Sequence, residues 1–255
     1  MKISTPPVRQ ADIDEGQFVS KDPRDRLVVA LDVGSTAEAL HLAGLLQGRS
    51  RWVKVGMELF YAEGKDLLRK LRNMGFRVFL DLKLHDIPNT VAAAVRSVGD
   101  FGVEILTLHA SGGPAMLETA SAAARGLLQA PLLAGVTVLT SMDELQLQSV
   151  GIRDPAQEQV VRLASLALQS GLRGLVASPL EIATLRQQFG RAPLLIVPGV
   201  RPVGSAADDQ RRTATPEQAI RAGASLLVVG RPITRAADPA QAAEAIVAEI
   251  ARGLD

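Results

Sequence analysis

Acidic and basic residues alternate within one short segment of the chain, DLKLHD at positions 81–86. Two more charged residues, Asp32 and Lys54, interrupt or end earlier apolar runs. A lysine ammonium held among carboxylates can stabilise a developing negative charge and can then donate its proton as a general acid. These residues are therefore the first candidates for a catalytic site.

A second group of residues is suited to binding an anion. The segments PGVRP (198–202) and VGRP (229–232) each follow an apolar run late in the chain. Glycine lets backbone N–H groups approach an anion, and the guanidinium of Arg201 or Arg231 can donate two hydrogen bonds to phosphate oxygens. Together the two segments predict a phosphorylated ligand, whereas each alone would also fit an ordinary turn.

The elements that must position these residues are eight short apolar runs separated by stretches with helical spacing. Continuous apolar strands that alternate with amphipathic helices are typical of a parallel sheet covered by helices. We predict an α/β protein with a closed (β/α)8 TIM barrel as its single catalytic domain over residues 26–255, after an N-terminal extension of residues 1–25. The predicted strands are residues 26–32, 51–56, 77–83, 103–109, 132–140, 172–178, 193–199 and 225–231.

Capping patterns support these helix boundaries. Ser178-Pro179-Leu180-Glu181 and Thr215-Pro216-Glu217-Gln218 are capping boxes with proline at the first helical position, and Gly190 and Gly223 follow where the helices should end. The first strand is not followed by Gly-x-Gly-x-x-Gly, so a dinucleotide-binding fold lacks its usual support.

In such a barrel the active site lies at the carboxyl ends of the strands, which is where the charged residues fall. Asp81 and Lys83 should share one face of their strand because side chains alternate along it. The alternative is that Asp32, Lys54, Asp81 and Lys83 are ion pairs that only fill the barrel. Strand interiors normally take Val, Ile and Leu, so four charges on three neighbouring strands favour a function.

The overall composition excludes several classes of protein. Lys and Arg total 28 against 27 acidic residues, a net charge of +1, which does not suggest a nucleic-acid or membrane partner. The chain has no cysteine, so disulfides and thiolate metal sites are excluded. Its start is too polar for a secretory signal, and no apolar run reaches the roughly 20 residues of a membrane span. We expect a cytoplasmic protein.

The motifs, in their order along the chain, resemble those of the orotidine 5′-phosphate decarboxylase family. The resemblance covers residues 26–235 and implies conversion of orotidine 5′-phosphate (OMP) to UMP and CO2 without a metal or other cofactor. The matching segments are ALD (30–32), KVG (54–56), DLKLHDIPNT (81–90), LTSM (139–142), PGVRP (198–202), DQRR (209–212) and VVGRPI (228–233).

The resemblance also implies a role for each matched residue. Lys83 would protonate C6 of the pyrimidine as CO2 leaves, and Asp81 would lie beside the substrate carboxylate. Lys54 would hold the acidic residues and the ribose hydroxyls in place, and Asp32 would bind the ribose. The other expected contacts are Asp86, Ile87 and Thr90 near a neighbouring subunit's site, Thr140 and Ser141 at the pyrimidine edge, and Pro198, Arg201, Gln210, Gly230 and Arg231 around the phosphate.

The resemblance also bears on the subunit arrangement, and the residue types give two further expectations, one for a loop and one for a histidine. Asp86 and Thr90 would complete the neighbouring subunit's site, which implies a homodimer with shared active sites. The polar segment 202–215 would close over the substrate as a lid. His109, at the end of a predicted strand, would either face the pocket or pack at the barrel rim.

Two alternative functions remain open at this stage. Magnesium-dependent sugar-phosphate decarboxylases and aldolases, the 3-keto-gulonate-6-phosphate decarboxylases and hexulose-phosphate synthases, share the Asp-x-Lys-x-x-Asp motif. They carry an acidic metal ligand where this chain has Lys54, a cation that would repel Mg2+. A non-catalytic nucleotide-binding barrel is the other alternative, and turnover would separate it from an enzyme.

Overall fold

Eight parallel strands close into a barrel in which each strand pairs with the next along the chain and the last pairs with the first. The structure is a computed structural model, and it describes residues 18–202 and 214–255. The predicted (β/α)8 barrel is confirmed. Its strands are β1 (Leu27–Ala30), β2 (Trp52–Gly56), β3 (Arg77–Leu84), β4 (Ile105–His109), β5 (Leu132–Val136), β6 (Gly174–Val176), β7 (Leu194–Pro198) and β8 (Leu226–Val229).

Helices cover the outside of the barrel between successive strands. No helix in the described ranges is long and apolar enough to cross a membrane. The α-helices of the described residues are α1 (Thr36–Leu46), α2 (Met57–Glu63), α3 (Lys65–Asn73), α4 (Pro88–Gly99), α5 (Gly113–Arg125), α6 (Glu144–Ser149), α7 (Ala156–Gln169), α8 (Ile182–Phe189), α9 (Pro216–Arg221), α10 (Arg231–Thr234) and α11 (Pro239–Leu254).

Both predicted capping patterns mark the start of a helical segment. The Thr215 hydroxyl accepts a hydrogen bond from the Gln218 N–H at 3.2 Å, and α9 follows directly. At Ser178 the Glu181 carboxylate accepts a hydrogen bond from the Ser178 N–H at 2.8 Å; the turn there is a 3-10 turn, Pro179–Glu181, and α8 begins only at Ile182. The capping pattern therefore marks the start of helical structure correctly, but the first turn is wound more tightly than an α-helix.

The predicted strand at residues 132–140 is longer than the strand that forms. β5 ends at Val136, and the apolar pattern continues because Val138, in the loop that follows, is also buried. Burial and strand pairing are separate requirements, and an apolar run reports only the burial.

The core has two layers, as the alternation of strand side chains requires. Leu27 and Val29 point outward into the large cluster between strands and helices, whereas Val28 points into the barrel. At the amino end of the barrel the Phe18 ring stacks on Trp52 with centroids 6.4 Å apart, and the Arg77 guanidinium lies 4.2 Å from the Trp52 ring. This packing closes one end of the barrel and leaves the carboxyl end for the site. The proposed boundary between extension and barrel at residue 25 stays a prediction.

Candidate active site

Four charged side chains meet at the carboxyl ends of β1, β2 and β3. In the strand register Lys54 pairs with Ala30, two residues before Asp32, and Gly56 pairs with Asp81. Adjacent parallel strands thus deliver Asp32, Lys54 and Asp81 to the same rim, because the carboxyl ends of parallel strands lie together.

The four side chains form a connected chain of alternating charge. The Lys54 ammonium lies 2.8 Å from Oδ1 of Asp32 and 3.6 Å from Oδ2 of Asp81. The Lys83 ammonium lies 2.8 Å from Oδ2 of the same aspartate. Buried charges require such partners, so each of the two inner residues, Lys54 and Asp81, is held between opposite charges.

Solvent exposure differs strongly among these four charged side chains. The side chains of Lys54 and Asp81 are 9% and 12% exposed, whereas that of Asp32 is 57% exposed. Lys83 is intermediate. The Asp81 carboxylate is therefore almost completely shielded from solvent. Water screens its interaction with the two ammonium groups much less than it screens the interaction within a surface ion pair.

The pKa of Asp81 reflects this setting. Burial by itself raises the pKa of the carboxyl, but the ammonium groups of Lys54 and Lys83, with hydrogen bonds from Lys83 and Thr107, outweigh that effect. The result is a pKa below the usual range for aspartate. Asp81 is therefore ionised at neutral pH and supplies a permanent negative charge inside the site.

An irregularity in β3 brings Lys83 to its place. The pairing of β3 with β4 shifts between Leu80, which pairs with Leu106, and Leu84, which pairs with Leu108. Lys83 has a φ of 50°, the left-handed region that residues with a Cβ rarely adopt. The Lys83 N–H donates to the Thr107 hydroxyl at 2.9 Å, so its acceptor on β4 is a side chain and not a backbone carbonyl.

Gly56 leaves the room that the Lys54–Asp32 pair occupies. A Cβ at this position would lie 3.0 Å from the Lys54 ammonium and 3.1 Å from Oδ1 of Asp32. Such contacts are closer than side chains normally approach, so a larger residue would displace one of the two charged groups.

Two adjoining cavities open beside these residues. An apolar cavity of about 150 Å³ is lined by Thr140 together with Phe79, Val136 and Val176. A more polar cavity of about 520 Å³ is lined by Asp32, Gly230, Arg231 and Arg201. The residues that line both are Lys54, Asp81, Lys83, Pro198 and Val228, so three of the four charged side chains lie where the cavities meet.

The arginines lie on the side of the barrel formed by β7 and β8. Gly199 has a φ of 83°, which favours glycine, and directs the chain after β7 so that the Arg201 N–H donates to the Ala214 carbonyl at 3.0 Å. Arg231 begins α10 immediately after Gly230. Both guanidinium groups therefore border the polar cavity, at the place where these barrels usually bind phosphate.

Some of the residues predicted from sequence do not line these two cavities. Ser141 is exposed beside Thr140, and Asp86, Ile87 and Thr90 are exposed where the loop after β3 enters α4. The Asp86 carboxylate accepts a hydrogen bond from the Ile87 N–H at 2.6 Å. Gln210 and most of the predicted lid lie outside the described residues.

Sequence reasoning missed several residues of the site. Thr107 is fully buried and contacts both Asp81 and Lys83. Glu58 and Arg235 line the polar cavity. A single polar residue in the apolar run ILTLH was the only signal for Thr107. Nothing local marked Glu58, which lies on α2, or Arg235, which follows α10.

His109 occupies the rim of the barrel, half-buried, with its ring centroid 5.5 Å from that of His85. Burial lowers the pKa of His109, and the nearby His85 and Lys83 lower it further, while Asp81 opposes them. Within residues 18–202 and 214–255, no group of three or more His, Asp or Glu side chains is arranged to hold a metal ion.

Comparisons with known proteins agree with this geometry. Residues 25–246 match the family model described as orotidine 5′-phosphate decarboxylase / HUMPS family. Orotidine 5′-phosphate decarboxylase of Dichelobacter nodosus is 50% identical over 224 residues, covering 88% of this chain and 98% of the relative. The enzyme of the same name from Halorhodospira halophila is 52% identical over 226 residues, covering 89% of this chain and 96% of the relative.

Solved structures show the same likeness. The crystal structure of orotidine 5′-phosphate decarboxylase from Lactobacillus acidophilus superposes with a TM-score of 0.77 at 39% identity, and the match covers 88% of this chain and 98% of that one. A conserved protein from Geobacillus kaustophilus, described as uncharacterized, gives a TM-score of 0.76 at 36% identity, with 88% and 99% covered.

Proposed function

Because this chain belongs to the orotidine 5′-phosphate decarboxylase / HUMPS family, we propose that it converts OMP to UMP and CO2. The observation that carries the proposal is the alternating chain of Asp32, Lys54, Asp81 and Lys83 at the junction of an apolar and a polar cavity. The reaction would supply UMP in pyrimidine biosynthesis.

The chemistry demands a fixed positive charge near one carbon atom. When the bond between C6 and the carboxylate breaks, the electron pair stays on C6 in the plane of the ring, where no ring orbital delocalises it. In the proposed mechanism the Lys83 ammonium stabilises this pair and then transfers a proton to C6, and solvent reprotonates the lysine. A charge already in place stabilises the transition state without reorganisation.

Asp81 has two roles in this mechanism. Its carboxylate holds the Lys83 ammonium at 2.8 Å, and its own negative charge would face the carboxylate that leaves as CO2. Repulsion between the two carboxylates would be relieved when CO2 departs. Because the pKa of Asp81 is held low, this charge persists at the pH at which the enzyme works.

The remaining residues would bind the parts of OMP that do not react. Asp32 and Lys54 would bind the ribose hydroxyls, and Thr140, with Ser141, the pyrimidine edge. Arg201 and Arg231 border the polar cavity and would bind the phosphate. Pro198 and Gly230 line the same cavity, and their backbone would lie close to the phosphate. Gln210 would join them from the segment that we propose as a lid. Binding energy from the phosphate would then contribute to the rate as well as to affinity.

The alternative function is that of the magnesium-dependent sugar-phosphate enzymes. Their chemistry needs Mg2+ bound by carboxylates, but here the Lys54 ammonium already lies between the carboxylates of Asp32 and Asp81. A divalent ion at that place would face an ammonium group, and this repulsion favours the metal-free reaction.

The test follows OMP consumption by its absorbance with purified protein in EDTA, and again with added Mg2+. We expect rapid conversion to UMP at the same rate in both. If OMP were untouched while 3-keto-gulonate 6-phosphate was decarboxylated only with Mg2+, the proposal would be replaced by the sugar-phosphate function. If neither substrate reacted but UMP bound, the result would favour a nucleotide-binding protein without catalytic activity.

We also propose a cytoplasmic homodimer in which each subunit completes the other's site. Asp86, Ile87 and Thr90 are exposed in this single chain, and Ile87 is 67% exposed, which an interface would cover. The proposed contacts of Asp86, Ile87 and Thr90 would then be made to the substrate of the neighbouring subunit.

Mixing two inactive variants tests the shared sites. Lys83→Ala and Asp86→Asn each disable every site of their own dimer, but a mixed dimer would contain one intact site. Refolding the two together should restore about a quarter of the wild-type activity, because half of the dimers are mixed and each has one working site of two. No recovery, or a monomer in sedimentation, would contradict the proposal.

A further inference from the structure

Thr107 lies where the pairing of β3 with β4 is irregular. Leu106 and Leu108 of β4 pair with Leu80 and Leu84 of β3, so Thr107 alone stands opposite the three residues between them. Its side chain is fully buried at the barrel rim. A hydroxyl can accept one hydrogen bond while donating another, which an aliphatic side chain of the same shape cannot do.

The Thr107 hydroxyl uses both of these capacities. It accepts a hydrogen bond from the Lys83 N–H at 2.9 Å and donates one to Oδ1 of Asp81, also at 2.9 Å. The other Asp81 oxygen accepts a hydrogen bond from the Lys83 ammonium at 2.8 Å. The hydrogen bonds therefore form a closed circuit that begins at the backbone of Lys83 and ends at its side chain.

This circuit restrains the two features on which the place of the ammonium depends. The Lys83 backbone is in the left-handed region, which is held only when its surroundings stabilise it. If only Oδ2 had a partner, the Asp81 carboxylate could rotate about its Cβ–Cγ bond. Thr107 prevents this rotation by donating a hydrogen bond to Oδ1.

We propose that Thr107 is a positioning residue for the reaction. It touches no reacting atom, but it fixes both the backbone of Lys83 and, through Asp81, the ammonium that delivers the proton. The inference rests on the proposed function, since it is OMP decarboxylation that requires an ammonium at one fixed point.

The test compares two substitutions at this position. Thr107→Val keeps the shape and removes the hydroxyl, whereas Thr107→Ser keeps the hydroxyl and removes a methyl group. Misplacement of a catalytic group by about 1 Å can cost about a hundredfold, so we expect Thr107→Val to lower kcat roughly tenfold to a hundredfold. Thr107→Ser should stay within about threefold of the wild type, because the circuit is intact.

A matched control separates positioning from simple stability. Thr137 is another buried threonine, and its hydroxyl donates to the Val176 carbonyl at 2.9 Å without contacting Asp81 or Lys83. Thr137→Val and Thr107→Val should both lower the melting temperature, but Thr137→Val should leave kcat unchanged. UMP binding, measured by calorimetry, should be retained in Thr107→Val, because the ribose and phosphate contacts do not involve Thr107.

Every outcome decides the inference. Loss of kcat in Thr107→Val alone, with UMP binding kept and rescue by serine, supports it. A wild-type kcat in folded Thr107→Val, or equal losses in the two valine variants, would overturn it. If Thr107→Val does not fold, Thr107→Cys replaces it, since its thiol bonds weakly and should lower kcat relative to serine; equal kcat values for these two would also overturn it. Absence of turnover by the wild type would instead contradict the proposed function.

Discussion

The ammonium nitrogen of Lys83 lies 2.8 Å from Oδ2 of Asp81, although only one residue separates the two in β3. In a regular strand, side chains two positions apart share a face but stand side by side along the strand. The left-handed backbone of Lys83 and the shifted pairing with β4 accompany the closer approach. The proposed proton donor and its carboxylate partner thus belong to one local structure.

Gly56 provides a test of the Asp32–Lys54 pair that leaves both charged residues unchanged. Gly56→Ala should lower kcat/KM for OMP by about threefold to tenfold, because the new methyl group displaces one of the two charged groups beside it by a fraction of an ångström. The backbone at Gly56 is extended, with φ −88° and ψ −178°, so alanine adds no backbone strain. Steady-state kinetics with OMP would measure the effect.

Gly44→Ala is the control for this experiment. A Cβ at Gly44 in α1 meets nothing within 4 Å. This substitution should leave the kinetics unchanged and raise the free energy of unfolding by about 0.5–1 kcal/mol, because alanine is the better helix former. Equal kinetics for the two alanine variants would refute the crowding argument at Gly56.

Arg231 is predicted to recognise the phosphate. Arg231→Ala should weaken UMP binding by at least about tenfold, since a hydrogen bond to a charged group contributes about 1.5–3 kcal/mol, but it should leave the weaker binding of uridine unchanged. Calorimetry with the two ligands would give this difference. Arg69→Ala, which removes an exposed arginine paired with Asp66 on α3, should alter neither affinity. A parallel loss for uridine and UMP would show that Arg231 does not act through the phosphate.

His109 should make the stability of the fold depend on pH. Its pKa in the folded protein is lowered by burial, by His85 and by Lys83, against the opposing effect of Asp81, so the unfolded chain binds the proton more readily. The free energy of unfolding should therefore fall as the pH drops below about 6.5, the value of an unperturbed histidine, toward the lower folded pKa.

His109→Gln should remove this part of the pH dependence. Urea unfolding of the wild type and the variant between about pH 8 and about pH 5 would compare the two slopes. The variant should lose less stability than the wild type over that interval, even if it is less stable throughout. Identical slopes would mean that His109 is protonated equally readily in the folded and unfolded chains.

Much of the fold follows from patterns that are local in sequence. The eight apolar runs predict all eight strands because burial on both faces favours apolar residues at most of their positions. The proximity of Asp32, Lys54 and Asp81 follows as well, since parallel strands of one barrel end at one rim. The predicted boundaries are less accurate: β5 stops at Val136, while burial continues to Val138.

The fine geometry of the site could not be predicted in this way. Alternation places Asp81 and Lys83 on one face, but it does not reveal that Lys83 is left-handed. The partners of Thr107 depend on a register shift between two strands, which is a non-local property, so one threonine in an apolar run gave no indication of them. The roles of all the proposed site residues, including Asp86, Ile87, Thr90, Ser141 and Gln210, stay predictions.

The central claim is that the Lys83 ammonium protonates the carbon from which CO2 leaves. The most direct measurement is the rate of UMP formation from OMP in EDTA by the wild type, by Lys83→Ala and by Lys70→Ala, which removes an exposed lysine of α3. We predict rapid conversion by the wild type and by Lys70→Ala, and a loss of at least about a hundredfold in Lys83→Ala, since general acid catalysis contributes about 10²–10⁴-fold. Retained UMP binding would show that this variant is folded. A Lys83→Ala protein that forms UMP as fast as the wild type would contradict the account.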